Sequence, residues 1–398
     1  MFDYIKIEGF RSFKKVELEV PRLAVLIGPN GGGKSNFLDL LTLMAEAGNM
    51  QLANGVAKRG GFANIAFGFD PQVELRVEMR FKAALPAKAE GQSGDERPDV
   101  RFSMTARGLA FQAVLVHEVV AQESGKQPSL SAEMLSRGPA GAVFRVMSES
   151  GALTDKRVGV ASNELAITQV RNSSEYPAAA FVLGEFTGWR VYRDIDVGST
   201  SPVRQPALIR PGIQLLPDGS NLSSVLYAIQ QDYPDDWQDV LEILRTAYPE
   251  FVKLTVPAQG GDGKVLLRWF EKPFDRHGGI SANFLSDGTL KLLCLLAILK
   301  SPDPPPLICI DEPELGLHPD WIKLVAELLQ VAAMRTQVIV ATHSPHIVAK
   351  LEPEQVIVAE KVDGETRLER QDRQDLEKWL KDFNLSELWL AGQLGGRP

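Results

Sequence analysis

The chain has 398 residues, of which 44% are apolar and 24% are charged, and its formal net charge is −8. This composition supports a substantial apolar core and excludes a chain that is disordered overall. The acidic balance argues against a dedicated nucleic-acid binder. The start of the chain lacks the pattern of a signal peptide, and the longest apolar run, residues 292–299, is too short to span a bilayer. We therefore expect a cytoplasmic protein with no membrane partner.

The first half of the chain is rich in strand patterns. Apolar and polar residues alternate in several segments, and residues 23–27 form a continuous apolar run that is typical of a buried strand. A helix is predicted over 35–46. Residues 85–99 are rich in proline, glycine and charge, and they predict an exposed loop. Strands are predicted over 3–9, 16–20, 23–27, 73–83, near 100–120, 142–147 and 164–170.

The second half turns helical from Ser220, an expected N-cap, and then takes on an α/β pattern. There are no sustained heptads between Lys34 and Ser286, so long coiled-coil arms are not expected. Cys294 and Cys309 lie in apolar runs, which is typical of buried, reduced thiols. Helices are predicted over 221–231, 235–248, 287–300, 320–334 and near 373–390, with strands over 306–310, 337–341 and 355–360.

Residues 28–35, GPNGGGKS, match the phosphate-binding P-loop pattern and lie between a predicted strand and a predicted helix. The glycines let the backbone N–H groups turn inward around the phosphates. Lys34 is expected to reach the β- and γ-phosphates, and the Ser35 hydroxyl is expected to bind Mg²⁺. The helix N-terminus adds its dipole to anion binding. The residues expected to bind the nucleotide here are Asn30, Gly31, Gly32, Gly33, Lys34, Ser35 and Asn36.

A second acidic motif, LICIDE at 307–312, reads as a buried strand that ends in two carboxylates. An acid at the carboxyl end of such a strand lies beside the P-loop in parallel sheets. Asp311 is expected to hold Mg²⁺, directly or through water. Glu312 is expected to orient or deprotonate the attacking water. Together the two motifs predict an ATPase that uses ATP and Mg²⁺.

The segments GPNGGGKSN, LSDGT at 285–289, ICIDEPELGLHP and THS at 342–344 resemble the ABC-ATPase heads of the SMC, RecF and OLD group. The match is good at the beginning and the end of the chain and poor in the middle. The resemblance implies an α/β fold, a P-loop NTPase head with flanking helices and an inserted lobe that is first β-rich and then helical. It divides the chain into 1–84, with the P-loop, the lobe at 85–280, and 281–398, with the remaining motifs.

The resemblance also implies that LSDGT is the signature motif of these heads. Ser286 and Gly288 are then expected to contact the γ-phosphate of ATP bound to a second copy of the chain, with help from the N-terminus of the following helix. This predicts a composite site and a homodimer that forms with ATP. Asp287 occupies the position where transporter members of the family have glycine, a substitution familiar in the OLD-like branch.

Further residues follow from the same resemblance. His343 resembles the switch histidine that touches the γ-phosphate, whereas His318, in the loop that links the two sites, is expected to be structural. Arg11, in the turn GFRSF, is a candidate ATP contact near the base, with a solvated turn as the alternative. Arg59 and Gln72 are weaker candidates, for the arginine loop and the glutamine loop of the family.

Several functions are compatible with these motifs. An in-chain nuclease is excluded because the end of the chain offers only scattered acids such as Asp372 and Asp375. The acidic charge and the missing arms favour an ATP-driven switch coupled to a separate effector protein over a RecF-like or SMC-like DNA-binding ATPase in repair or maintenance. DNA binding, if present, is expected to be weak and non-specific. By family analogy, the LSDGT branch is often found in bacterial anti-phage defence.

Overall fold

The computed structural model describes residues 1–82, 98–109, 111–124, 127–139, 141–147, 153–273, 276 and 278–395. Most of the predicted loop at 85–99 lies outside these ranges. Among the described residues, no helix combines the length and the apolar character needed to cross a membrane.

In the described ranges, twenty strands and eleven α-helices make up the fold. The strands are β1 Phe2–Phe10, β2 Phe13–Glu19, β3 Leu23–Ile27, β4 Leu75–Phe81, β5 Asp99–Leu109, β6 Gln112–Ser124, β7 Gln127–Gly138, β8 Gly141–Met147, β9 Leu153–Val158, β10 Arg190–Tyr192, β11 Ala207–Leu208, β12 Phe251–Thr255, β13 Ala258–Gln259, β14 Lys264–Val265, β15 Arg268–Glu271, β16 Ile280–Ser281, β17 Leu307–Asp311, β18 Gln337–Ala341, β19 Val356–Val362 and β20 Glu365–Arg370. The helices are α1 Lys34–Gly48, α2 Leu52–Lys58, α3 Phe62–Ile65, α4 Pro177–Gly188, α5 Leu222–Asp232, α6 Pro234–Ala247, α7 Asp287–Leu299, α8 Pro319–Ala333, α9 Pro345–Val348, α10 Arg373–Leu376 and α11 Leu385–Leu390.

A six-stranded sheet forms the centre, in the order β10-β17-β18-β3-β19-β20. All its pairings are parallel except that of β19 with β20. Both faces of its inner strands are covered, so these strands are continuous apolar runs, as expected for a buried parallel sheet. In β3, for example, Leu23, Val25 and Ile27 face one core cluster, and Ala24 and Leu26 face the other.

The first core cluster packs the central sheet against α5, α6, α7, α8 and α11. The second fills the space between the opposite face of the sheet, α1 and α4, and an eight-stranded antiparallel sheet in the order β2-β1-β4-β5-β6-β7-β8-β9. In that sheet β4 pairs with β1 on one side and with β5 on the other, so strands from before residue 83 and after residue 97 belong to the same sheet. The division of the chain at residues 84 and 280 stays a prediction.

Most predicted elements are confirmed, with shifts of at most three residues at their ends, and the strand-like region near 100–120 consists of the two strands β5 and β6. The segment 164–170 is not a strand but a 3-10 turn, Ala166–Gln169. Its apolar side chains are buried because the turn inserts into the core, which mimics the pattern of a strand. The closing helix near 373–390 is two short helices, α10 and α11. The N-cap of α5 is Asn221 instead of Ser220.

Several elements carry no clear signal in the sequence. The predictions lack α4, β7, β9, β10, β20 and two small three-stranded sheets, β11-β14-β13 and β12-β15-β16. Many of these strands have only two to four residues, too few for a period of two to be recognised. The expectation for the cysteines is confirmed, since Cys294 and Cys309 are both buried and free.

Candidate active site

The P-loop joins β3 to α1, and its glycines are required by the local backbone. Gly28, Gly31 and Gly33 have φ values of 140°, 79° and 107°, a region that favours glycine. A Cβ atom on Gly28 would lie 2.1 Å from the carbonyl oxygen of Ala359 in β19. One on Gly33 would lie 2.4 Å from Thr366 Oγ1 in β20. The hairpin β19–β20 therefore supports the loop from behind.

Lys34 begins α1 and is almost fully buried beneath this loop. Its Nζ donates to the carbonyl oxygens of Gly28, at 2.7 Å, and Pro29, at 3.1 Å. Burial lowers the pKa of Lys34, while the carboxylates of Asp311, Glu312 and Glu314 act in the opposite direction. The ammonium is thus held inside the curve of the loop, next to an acidic cluster.

The remaining P-loop residues differ in their exposure to solvent. Asn30, Gly31 and Ser35 are exposed, whereas Gly32 and Gly33 are buried against the hairpin. The half-buried Asn36 donates to Ser12 Oγ at 2.7 Å and so joins α1 to the β1–β2 turn. The surface of the loop therefore presents backbone and hydroxyl groups, the donor types that bind phosphate oxygens.

Asp311 ends β17 and lies beside Ser35. Burial raises the pKa of Asp311, and the charges of Arg193 and Lys34 and a hydrogen bond with Ser35 counteract this effect. A hydroxyl and a carboxylate brought together at the end of a strand fit Mg²⁺, which prefers oxygen ligands and takes few of them from the protein. Ser35 and Asp311 would hold that ion, and the ion would neutralise phosphate charge.

Glu312 follows directly and adopts a left-handed backbone conformation, with φ at 47°. Its N–H donates to the carbonyl oxygen of Ala341 at the end of β18, at 2.8 Å. The Glu312 Oε1 atom lies 3.9 Å from His343 Nε2. Burial and the charge of Lys34 lower the pKa of His343, so its imidazole is neutral at pH 7. A strained acid beside a neutral imidazole can accept a proton from water.

Glu314, to which the sequence motifs assign no role, anchors this edge of the sheet. One of its carboxylate oxygens accepts from Thr342 Oγ1 and from the His343 N–H, both at 2.7 Å. The other oxygen, Oε2, is buried and has no hydrogen-bond partner among the residues that the structure describes. Burial raises the pKa of Glu314. Its place in the PELGLHP segment is the only signal that could have marked it.

A buried carboxylate, Asp39, lies one turn after Ser35 on α1 and binds three arginines. The arginine-to-carboxylate distances are 2.7 Å for Arg11, 3.0 Å for Arg59 and 2.8 Å for Arg193. Arg59 also pairs with Glu46, at 2.6 Å. Arg11 and Arg59 were candidates from the sequence. Arg193, at the carboxyl end of β10, was missed because β10 has only three residues.

The signature segment lies in a separate turn. Ser286 is the N-cap of α7, and its Oγ accepts from the Thr289 N–H at 3.1 Å. Ser286 is exposed and Gly288 is half-buried. A Cβ on Gly288 would lie 3.0 Å from the carbonyl oxygen of Gly316, so glycine lets the two loops approach closely. Within the described ranges, no hydrogen bond or ion pair joins Ser286 to the P-loop.

Two remaining candidates lie away from this cluster. Gln72 is exposed in the turn before β4, where its N–H donates to Asp70 Oδ1. His318 is the N-cap of α8 and accepts from the Asp320 N–H, which is the structural role that the sequence indicates.

Comparisons with known proteins agree with this geometry. Residues 1–85 match a family model described as "AAA ATPase domain", and residues 176–349 match one described as "AAA domain, putative AbiEii toxin, Type IV TA system". No curated protein sequence gives a significant match.

Among solved structures, an Smc head bound to the C-winged helix domain of ScpA is similar at a TM-score of 0.58 and 15% identity, over 94% of this chain and 99% of that chain. An Smc head with an extended coiled coil, bound to the C-terminal domain of ScpA derived from Pyrococcus furiosus, gives 0.56 and 15%, over 96% and 98%. An Smc head with a coiled coil and joint derived from Pyrococcus yayanosii gives 0.53 and 12%, over 96% and 99%. At these identities the likeness establishes the fold, which is the fold that the motifs predict.

Proposed function

We propose that this chain is an ATPase that binds ATP between two copies of itself and uses hydrolysis to open and close that dimer. Its matches to two AAA ATPase family models and its SMC-head fold support this proposal. One observation carries the proposal. The phosphate-binding and acidic residues meet at one edge of the central sheet, while in the described parts of the chain no hydrogen bond or ion pair joins Ser286 of the exposed signature turn to them.

One copy supplies the phosphate-binding half of the site. Lys34 binds the β- and γ-phosphates, and Arg11 binds the nucleotide from the adjacent β1–β2 turn. Ser35 and Asp311 hold Mg²⁺. Glu312 accepts a proton from the attacking water, and the neutral His343, 3.9 Å away, donates to the γ-phosphate.

The second copy supplies Ser286 and Gly288 to the same γ-phosphate. Two large apolar side chains near these residues are unusually exposed to solvent: Phe284 is 81% exposed and Leu315 is 63% exposed. Exposed apolar groups beside a functional loop are typical of an interface. A second copy that covers these side chains would bury apolar surface in addition to contacting the phosphate. Bound ATP and the apolar contacts would then both stabilise the dimer.

The biological output of this cycle is a switch that a separate effector protein reads. Support comes from the family model that names an AbiEii toxin of a type IV system, which is consistent with a role in bacterial anti-phage defence. The Smc heads similar to this chain carry another protein domain in their crystals, which supports a head that works with a protein partner. The net charge of −8 does not favour DNA as the main partner.

Light scattering with and without ATP and Mg²⁺ tests the composite site. Glu312→Gln keeps the size of the side chain but removes its basicity, so this variant should bind ATP, hydrolyse it very slowly and accumulate as a closed dimer. Ser286→Arg should bind ATP and stay monomeric, because bulk and charge fill the contact. Glu327→Gln, an exposed acid on α8, is the matched control and should behave as the wild type.

Mixed variants sharpen the same test. Ser286→Arg and Lys34→Ala chains together can form a heterodimer with one intact site, which pairs the P-loop of the first with the signature of the second. Part of the ATPase activity should return on mixing. A Glu312→Gln protein that remains monomeric at saturating ATP would refute the composite site.

A further inference from the structure

Arg204 is a buried arginine with an unusual set of partners. It ends a 3-10 helix, Pro202–Arg204, and is only 5% exposed. Its Nε donates to the carbonyl oxygens of Val197 and Gly198, both at 2.9 Å. A buried guanidinium is stable only when its donors are satisfied.

The remaining donors of Arg204 all reach the segment that leads into the signature turn. Nη1 donates to the carbonyl oxygens of Ala282, Asn283 and Leu285, at 3.3, 3.3 and 2.7 Å. Nη2 binds Asp287 Oδ1 at 2.5 Å. One side chain therefore fixes the backbone before Ser286 and the carboxylate directly after it.

Asp287 raises an electrostatic problem for a phosphate-binding turn. It is the first residue of α7, adjacent to Ser286, and its side chain is 68% exposed. A free carboxylate at this point would lie close to a bound triphosphate, and like charges across an interface weaken association. The transporter members of the resembling family have glycine here and do not meet this problem.

We infer that Arg204 is a positioning residue that neutralises Asp287 and holds the signature turn in the shape that receives the triphosphate bound to a second copy. This inference rests on the proposed function. Arg204 does not touch the nucleotide itself. The competing explanation is purely structural: Asp287 stabilises the N-terminus of α7 through the helix dipole, and Arg204 only fills the core.

A double-mutant cycle in the Glu312→Gln background separates the two explanations. The series comprises Arg204→Met, Asp287→Gly and the double variant, and the readout is the ATP concentration needed for half-maximal dimer by light scattering. Arg204→Met should raise this concentration at least about tenfold, because an unpaired carboxylate then faces the triphosphate. Asp287→Gly alone should lower this concentration, because the unpaired Arg204 then leaves a net positive charge beside the triphosphate. The double variant should recover most of the loss that Arg204→Met causes.

Controls distinguish the possible failures. Affinity for ADP, measured by calorimetry, depends on the P-loop of a single chain and should be the same in all variants. If the parent Glu312→Gln protein does not dimerise, the proposed function fails. If the parent dimerises but Arg204→Met does so equally well, or if the double variant is as defective as Arg204→Met, the inference about Arg204 is wrong.

A second variant decides the matter if Arg204→Met does not fold, as seen from lost ADP binding. Asp287→Asn leaves Arg204 in place but removes the compensating charge. The dimer should then form at lower ATP concentration and weaken more steeply as salt is added, because a net positive charge now lies beside the triphosphate. An unchanged salt dependence, or a weaker dimer, would overturn the inference.

Discussion

The two large sheets of this protein differ in whether their strand ends carry residues of the candidate active site. The central six-stranded sheet is mostly parallel, and the ends of β3, β17 and β18 bring Lys34, Asp311 and His343 together. The eight-stranded sheet is antiparallel, and ion pairs such as Arg80–Asp3 and Arg76–Glu8 join neighbouring strands. Parallel strands end at one common edge, whereas antiparallel strands distribute their ends over two edges. Chemistry therefore concentrates in the first sheet and structural support in the second.

The eight-stranded sheet contains a buried polar contact that illustrates the difference. Glu118 in β6 is fully buried, and its two carboxylate oxygens accept from the N–H groups of Ala166, at 2.6 Å, and Ile167, at 3.0 Å. Arg137 lies 3.8 Å away and donates to the carbonyl oxygen of Ala161, at 2.8 Å. This pair fixes the turn after β9 to the sheet, and both side chains are buried.

The largest expected effect is on nucleotide binding in the central sheet. Lys34→Ala removes a buried positive charge from the curve of the P-loop. ATP affinity should fall by about 10- to 100-fold, the effect of losing a charged hydrogen bond to phosphate. Calorimetry with ATP and Mg²⁺ measures it, with Lys14→Ala as the exposed control. Equal affinities for the two variants would refute the P-loop assignment.

A second prediction concerns the ion cluster behind the P-loop. Asp39→Ala leaves Arg59, which is largely buried, without its main carboxylate partner. Removal of one partner from a buried ion pair should cost about 3–5 kcal/mol of unfolding free energy. Urea unfolding of this variant should show that loss, while Glu365→Gln, which alters an exposed pair with Lys14, should cost less than about 1 kcal/mol. Similar midpoints for both variants would contradict the prediction.

Stability should also depend on pH through the eight-stranded sheet. Burial raises the pKa of Glu118 to about 7, while its backbone hydrogen bonds and Arg137 oppose this shift. Because the folded-state pKa lies above the ordinary value of 4.5, the contribution of Glu118 to stability is fully present below that value and is lost as pH rises through 7.

Glu118→Gln should cost about 1–3 kcal/mol at pH 5, where it disrupts the contacts with Ala166 and Ile167. It should also make stability less dependent on pH between 5 and 8. Urea unfolding across this range provides the measurement, with Glu133→Gln, an exposed acid on β7, as the control. A wild-type protein that gains stability relative to Glu118→Gln as pH rises would show that the sign is wrong. ATP affinity should not change.

The smallest effect expected is on DNA. With a net charge of −8, the protein should bind DNA weakly at most, without sequence preference and with strong sensitivity to salt. If the surfaces that bind DNA come together on closure, this binding should require ATP. Gel shifts over a series of salt concentrations measure both properties. Tight, sequence-specific binding without ATP would favour the alternative of a DNA-binding ATPase.

Sequence patterns predicted the central sheet better than the rest, for a physical reason. The P-loop and the pair Asp311–Glu312 are short continuous segments, each attached to a buried strand of five residues whose apolar run is unambiguous. Arg193, Arg204 and Glu314 act through partners that are distant in the sequence or through backbone groups. No spacing rule connects Arg204 to Asp287, and only the fold brings them within contact.

The same reason explains the errors in the middle of the chain. The turn at 166–169 has buried side chains because it packs into the core. Its backbone is held by a hydrogen bond to Glu118, a contact that no local pattern reveals. The two-residue strands β11, β13, β14 and β16 exist only because tertiary packing aligns them. Local propensity is weak for such segments, and context decides their conformation.

The position of β3 in the central sheet has a consequence for how the protein is made. Residues 23–27 emerge early from the ribosome, yet β3 pairs with β18 and β19, whose residues begin at Gln337 and Val356. The hairpin that supports Gly28 and Gly33 is also made late. At about 5–20 residues per second, synthesis leaves this apolar strand without its neighbours for tens of seconds. The nascent P-loop therefore lacks the strands that flank and support it until residues 337–370 have been translated, and the unpaired strand is a natural target for chaperones.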